Sequence, residues 1–139
     1  MKKEFTQMWW QEECSLVGLF NELIKDEKTA KYIKFKDDTL SLKFHKSFEL
    51  KVIYKNGYFN TYINDKFYYD IEEQDIYEYI EEIVNDAYVI VEYNKKNWFH
   101  PKRYFELISK ERFIMSKVKN AKRKVKRVFT VNNVLFENN

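Results

Sequence analysis

Eleven of the 25 Lys and Arg residues fall between Lys102 and Arg127, where the only acids are Glu106 and Glu111. That stretch carries +9, so the rest of the chain sums to −6 to give the total of +3. Solubility is better served by interspersed signs, and a segregation this sharp describes a surface for an acidic partner. Cations displace counterions from phosphate backbones and supply affinity without sequence readout, which makes nucleic acid or a nucleoprotein the expected partner. The candidate contacts here are Lys117, Lys119, Lys122, Arg123, Lys124, Lys126 and Arg127. A second set is Lys51, Lys55, Tyr58 and Tyr62. Aromatic faces flanked by cations stack bases in single-strand and RNA-binding sheets, although tyrosine is also an ordinary strand residue.

Metal-dependent chemistry has one candidate, Asp38 with Glu49-Leu50-Lys51. On a strand the period of two points Glu49 and Lys51 to one face while Leu50 enters the core. With the order helix, strands, helix, strand, these residues resemble the core of restriction-endonuclease-like nucleases. The resemblance implies a divalent metal such as Mg²⁺ held by carboxylates and a metal-activated water attacking a phosphodiester. Acid-x-lysine triplets also arise by composition, Asp26-Glu27-Lys28 being another, and the Asn56-Gly57 hairpin is an extra strand in that comparison. His45 and His100 are isolated, Cys14 has no sequence-adjacent base, and glycine-rich phosphate loops are missing. The residues therefore favour a non-enzymatic protein with no catalytic residues, no metal and no cofactor.

The elements that must carry these side chains follow from periodicity. From Met8 to Lys25, Trp9, Trp10, Leu16, Val17, Phe20, Leu23 and Ile24 recur at three and four residue spacings, which predicts a first helix. Tyr32–Phe35 and Leu40–Phe44 read as strands joined through Asp37-Asp38. Asn56-Gly57 suits a type I′ turn, whose central residues both need positive φ. A two-residue loop there pairs Lys55 with Tyr58 and, in sequence, Leu50 with Ile63. Leu50, Val52, Tyr54, Phe59, Thr61 and Ile63 then share the core face. Glu49, Lys51, Ile53, Lys55, Tyr58, Asn60, Tyr62 and Asn64 share the other.

Asn64-Asp65-Lys66 reads as a turn before a Phe67–Tyr69 strand. Asp70 and Glu73 fit a capping box for a second helix to about Asn85, with Ile76, Tyr79, Ile80, Ile83 and Val84 inward. Ala87 to Tyr93 is apolar on both faces, as an inner strand requires. Beyond Pro101, Tyr104, Leu107, Ile114, Val118, Ala121, Val125 and Val128 follow a three-four spacing. That spacing predicts a basic helix to Phe129, about 42 Å long, with a tail or small hairpin around Asn132-Asn133.

Composition bounds the class. Aromatic content of 19% with two glycines and one proline belongs to a folding chain, and 139 residues fit one domain without disulfides. A single cysteine argues for a reducing, cytoplasmic setting. The longest clean apolar run, Ala87 to Val91, is too short to span a bilayer, and Glu4, Gln7 and Gln11 interrupt any leader after Met1-Lys2-Lys3. Lys, Asn, Ile, Tyr and Phe in this abundance suit AT-rich coding, as in a low-GC bacterium or its phages.

The expectation is a two-layer α+β fold: an antiparallel sheet of five or six strands, two helices on one face, and a basic C-terminal helix. Residues 1–101 form the body; residues 102–139 form the basic helix and tail of the same domain. The function expected is a binding or regulatory protein, such as a phage or mobile-element inhibitor, that engages nucleic acid through the basic helix. The alternatives are an immunity- or inhibitor-type module on an acidic protein surface, or a homodimer paired through the valine stripe. No membrane partner is expected.

Overall fold

The computed structural model describes residues 16–45, 48–95, 102–119 and 124–137. Trp9, Trp10, Cys14, Trp98, His100, Ala121, Lys122 and Arg123 lie outside the described residues. The fold is α+β with two antiparallel sheets, and the chain divides into two compact units, Met1–Glu81 and Glu82–Asn139.

In the first unit, helix α1 (Leu16–Leu23) is followed by a single turn, α2 (Glu27–Ala30). Asp26 caps α2, accepting from Lys28 N and from Thr29 Oγ1 at 3.1 Å each. A five-stranded meander follows: β1 (Ile33–Lys36), β2 (Thr39–His45), β3 (Phe48–Lys55), β4 (Tyr58–Ile63) and β5 (Lys66–Glu72). Three of its turns are two-residue loops with positive φ at both positions: Asp37-Asp38 (52° and 56°), Asn56-Gly57 (55° and 80°) and Asn64-Asp65 (48° and 71°). Asp, Asn and Gly tolerate that region, and its twist matches that of the flanking strands. The expected register from Lys55↔Tyr58 to Leu50↔Ile63 is the observed one.

That register drives Leu50, Val52, Phe59, Thr61 and Ile63 into the core with Leu40, Leu42 and Ile71. Helix α1 packs against β2 and β3 and buries Leu16, Leu19 and Leu23. Val17 and Ile24, expected in the stripe, are exposed: Val17 lies off the face that buries Leu16, Leu19 and Leu23, and Ile24 follows the end of the helix. Each fully buried aliphatic side chain of this core, such as Leu19 or Leu50, stabilises the fold by about 1.5–3 kcal/mol through removal from water.

Helix α3 (Ile76–Val84) buries Ile76, Tyr77, Ile80, Ile83 and Val84. The capping box expected at Asp70 does not form: Asp70 belongs to β5 and accepts from Asn60 Nδ2, and the helix opens after Asp75, whose carbonyl accepts from Tyr79 N at 3.0 Å. The strand continues past Asp70 and ends at Glu72, so Asp70 and Glu73 are not separated by a helical turn.

The second unit holds β6 (Tyr88–Lys95), β7 (Lys102–Ser109), the short helix α4 (Met115–Lys119), β8 (Lys124–Phe129) and β9 (Val134–Glu137), in sheet order β7-β6-β8-β9. Strand β6 is central and Val89 to Tyr93 are all buried, as an inner strand requires. A cluster of Val89, Val91, Tyr93, Val118, Val125 and Val128 forms the core on one side, backed by Tyr104, Ile108 and Phe136.

The continuous basic helix is therefore corrected: the described residues of 102–129 form two strands with one short helix between them. A β-bulge misled the periodicity. Glu92 pairs with Arg127 and Tyr93 with Val125, so Lys126 is the extra residue, and Val125 and Val128 reach one face although they are three apart. Val125, Val128 and Phe129 suit a pleated surface better than a helix. The single sheet is corrected likewise, since β6 pairs with β7 and β8 and belongs to a separate four-stranded sheet. The C-terminal hairpin, β8–β9 around Asn132-Asn133, is present.

Candidate nucleic-acid interface

Registers in the first sheet bring residues from five strands into one line. Lys34 pairs with Ser41, Ser41 with Lys51, Lys51 with Tyr62, and Tyr62 with Phe67. Because alternate residues share a face, this rung stands opposite the core. On either side of it lie Lys43 with Glu49, Ile53 with Asn60 and Asp70, and Lys55 with Tyr58 and Glu72; Lys36 completes the β1 side. None of these outward side chains is buried.

The face is polarised. Strands β1 to β3 carry Lys34, Lys36, Lys43, Lys51 and Lys55 against Glu49, whereas β4 and β5 carry Tyr58, Tyr62 and Phe67 with Asp70 and Glu72. Tyr58 is 48% exposed and Phe67 58%. The Tyr62 and Phe67 rings meet edge to face, with centroids 5.8 Å apart and planes at 79°.

The acids are occupied locally. Lys51 Nζ donates to Asp65 and lies 3.6 Å from Glu49, Asp70 accepts from Asn60, and Glu72 accepts from Gln74. The Asp65 carboxylate bonded to Lys51 holds its ammonium above the usual lysine range against an opposing cost of desolvation, and Glu49 adds to the rise. Among the described residues, Lys34, Lys36, Lys43 and Lys55 make no ion pair. Four cations that no described carboxylate pairs thus flank an exposed aromatic strip.

Of the residues singled out by sequence, Lys51, Lys55, Tyr58 and Tyr62 come together here. Lys34, Lys36, Lys43 and Phe67 were missed. The Asp37-Asp38 and Asn64-Asp65 turns carried the signal, because each fixes the register that adds the next strand to the face.

The cations of the second unit are distributed otherwise. Arg127 donates from Nε and Nη2 to Glu92 Oε1 at 2.7 and 2.6 Å, with side chains 11% and 0% exposed. Lys119 Nζ lies 4.5 Å above the Phe136 ring. Lys117 and Lys124 are exposed on different elements, and Lys126 is half-buried at the bulge. A hollow of about 470 Å³ in this unit is lined by Glu82, Ala87, Tyr88, Ser109, Lys110 and Glu111, a mixture of charges with no common target.

The nuclease-like residues do not converge. Glu49 pairs with Lys43, and Asp38 lies five residues before Lys43, about 17 Å along the strand. Carboxylates sharing one divalent ion must each bring an oxygen within about 2.0–2.6 Å of it. Lys51 instead bridges Glu49 and Asp65.

Among the described residues no helix is long and apolar enough to cross a membrane. Comparison with family models, curated proteins and solved structures found no match.

Proposed function

We propose that this chain is a non-enzymatic binding protein that engages nucleic acid, or a complex that carries it, through the outward face of β1 to β5. The observation that carries the reading is the rung Lys34–Ser41–Lys51–Tyr62–Phe67, set among lysines that no carboxylate of the described chain neutralises. Cations so placed gain from phosphate contact by releasing counterions, whereas nearby paired charges gain little. This binding chemistry and the lone cysteine support a regulatory role in a reducing, cytoplasmic setting.

The test is affinity for labelled mixed-sequence oligonucleotides at two salt concentrations. Four phosphate contacts to a single strand give a slope of about −2.8 in log K against log salt, or roughly a 50-fold loss between 50 and 200 mM. Absence of binding at 50 mM would refute the proposal and favour a protein partner held by apolar contacts.

A further inference from the structure

We infer that the occupant of this face is a single strand of nucleic acid, its bases stacked on Tyr58 and Phe67 and its phosphates over the lysines of β1 to β3. This rests on the nucleic-acid reading above and adds to it the form of the ligand.

Width decides against a duplex groove. Five strands spaced by ~4.8 Å span about 19 Å between the outer strand axes, whereas the major groove of B-DNA is about 12 Å wide and takes one helix or a two-stranded ribbon. A duplex could therefore touch this face only with its phosphates. The rings of Tyr58 and Phe67 would then stay in water, because paired bases offer no open π-face.

A single strand matches the polarity of the sheet. Its charged backbone and its bases lie on opposite sides of the sugars, as the lysines of β1 to β3 and the rings of β4 and β5 lie on opposite halves of the face. Tyr58 and Tyr62 are four residues apart on β4, about 13 Å, so a strand running along β3 and β4 would meet one ring and then the next. Because Tyr62 and Phe67 pack edge to face, the edge of one ring meets only one face of the other, and a π-face of each stays clear of the contact. The half of the face that carries Phe67 has aromatic surface and only acidic charge, which suits bases and repels phosphates. That complementarity sets the strand's orientation across the sheet: backbone toward β1, bases toward β5.

The experiment is fluorescence anisotropy of the full chain with labelled oligo(dT), oligo(U) and a duplex of matching length, each about 15 nucleotides, at one low salt concentration. Either single strand should bind at least tenfold more tightly than the duplex. Phe67→Ala and Tyr58→Ala should each weaken single-strand binding about tenfold and leave duplex binding unchanged, while Phe67→Tyr retains it. Both rings are exposed, so circular dichroism should show unchanged folding for these variants. Equal or tighter duplex binding, or indifference to both alanine variants, overturns the single-strand inference while leaving phosphate binding intact. Failure of all three oligonucleotides to bind overturns the underlying reading as well.

Discussion

The chain has two concentrations of positive charge, and they have opposite fates. Between Lys102 and Arg127 the cations are dense in sequence, yet among the described residues they lie on β7, the turn after it, α4 and β8, and Arg127 turns onto a buried carboxylate. Lys34, Lys36, Lys43, Lys51 and Lys55 are diluted by other residues, yet three antiparallel strands gather them on one face. Linear density is therefore a poor guide to surface density where the chain pleats. A helix preserves the neighbourhood of a charged run, whereas a sheet exchanges it for neighbours across strands.

The strongest way to break this contrast is to treat Arg127 as a surface cation. Arg127→Met would leave the fully buried Glu92 without its guanidinium, and chemical denaturation should register a loss of about 3 kcal/mol. The double variant Glu92→Leu with Arg127→Met should recover much of that loss, since the desolvation cost of both charges disappears. Unchanged stability in the single variant would return Arg127 to the pool of solvent-facing charges.

Next in size is a pair of charge-removal variants of equal count. Converting Lys34, Lys43 and Lys55 together to Gln should reduce the salt slope of oligonucleotide binding by about 2, with affinity falling roughly tenfold or more at low salt. The same treatment of Lys117, Lys119 and Lys124 should leave the slope nearly unchanged. Equal effects from the two triplets would dissolve the distinction between the two regions.

Local conformation supplies a smaller effect. Gly57 has φ of 80° and a Cβ there would meet nothing within 4 Å, so Gly57→Ala costs only the left-handed backbone, about 1 kcal/mol. Thermal denaturation should show that shift without loss of the fold. Smaller still is the double variant Asp65→Asn with Glu49→Gln, which releases Lys51 from both of its carboxylates. The freed ammonium should add about 0.7 to the salt slope and improve oligonucleotide affinity a few-fold.

How much could be read from sequence depended on where the deciding interactions lay. The Asn56-Gly57 turn fixed six residue pairs because turn chemistry and register are local, and the face holding Lys51, Lys55, Tyr58 and Tyr62 followed directly. Extending that face to Lys34 required crossing β2–β3, whose register shifts near Lys43 and His45 without any residue that announces it. The basic segment failed for the same reason: a bulge at Lys126 gave strand residues the spacing of a helix. Glu92 and Arg127 stand 35 residues apart, and no local pattern links them.

The most direct measurement is an amide chemical-shift map of the full chain on titration with oligo(dT) at low salt. The largest changes should fall on Lys34, Ser41, Lys51, Tyr58, Tyr62 and Phe67 and their neighbours along β1 to β5. Changes concentrated instead between Lys102 and Phe129, with β3 and β4 silent, would contradict the proposed interface.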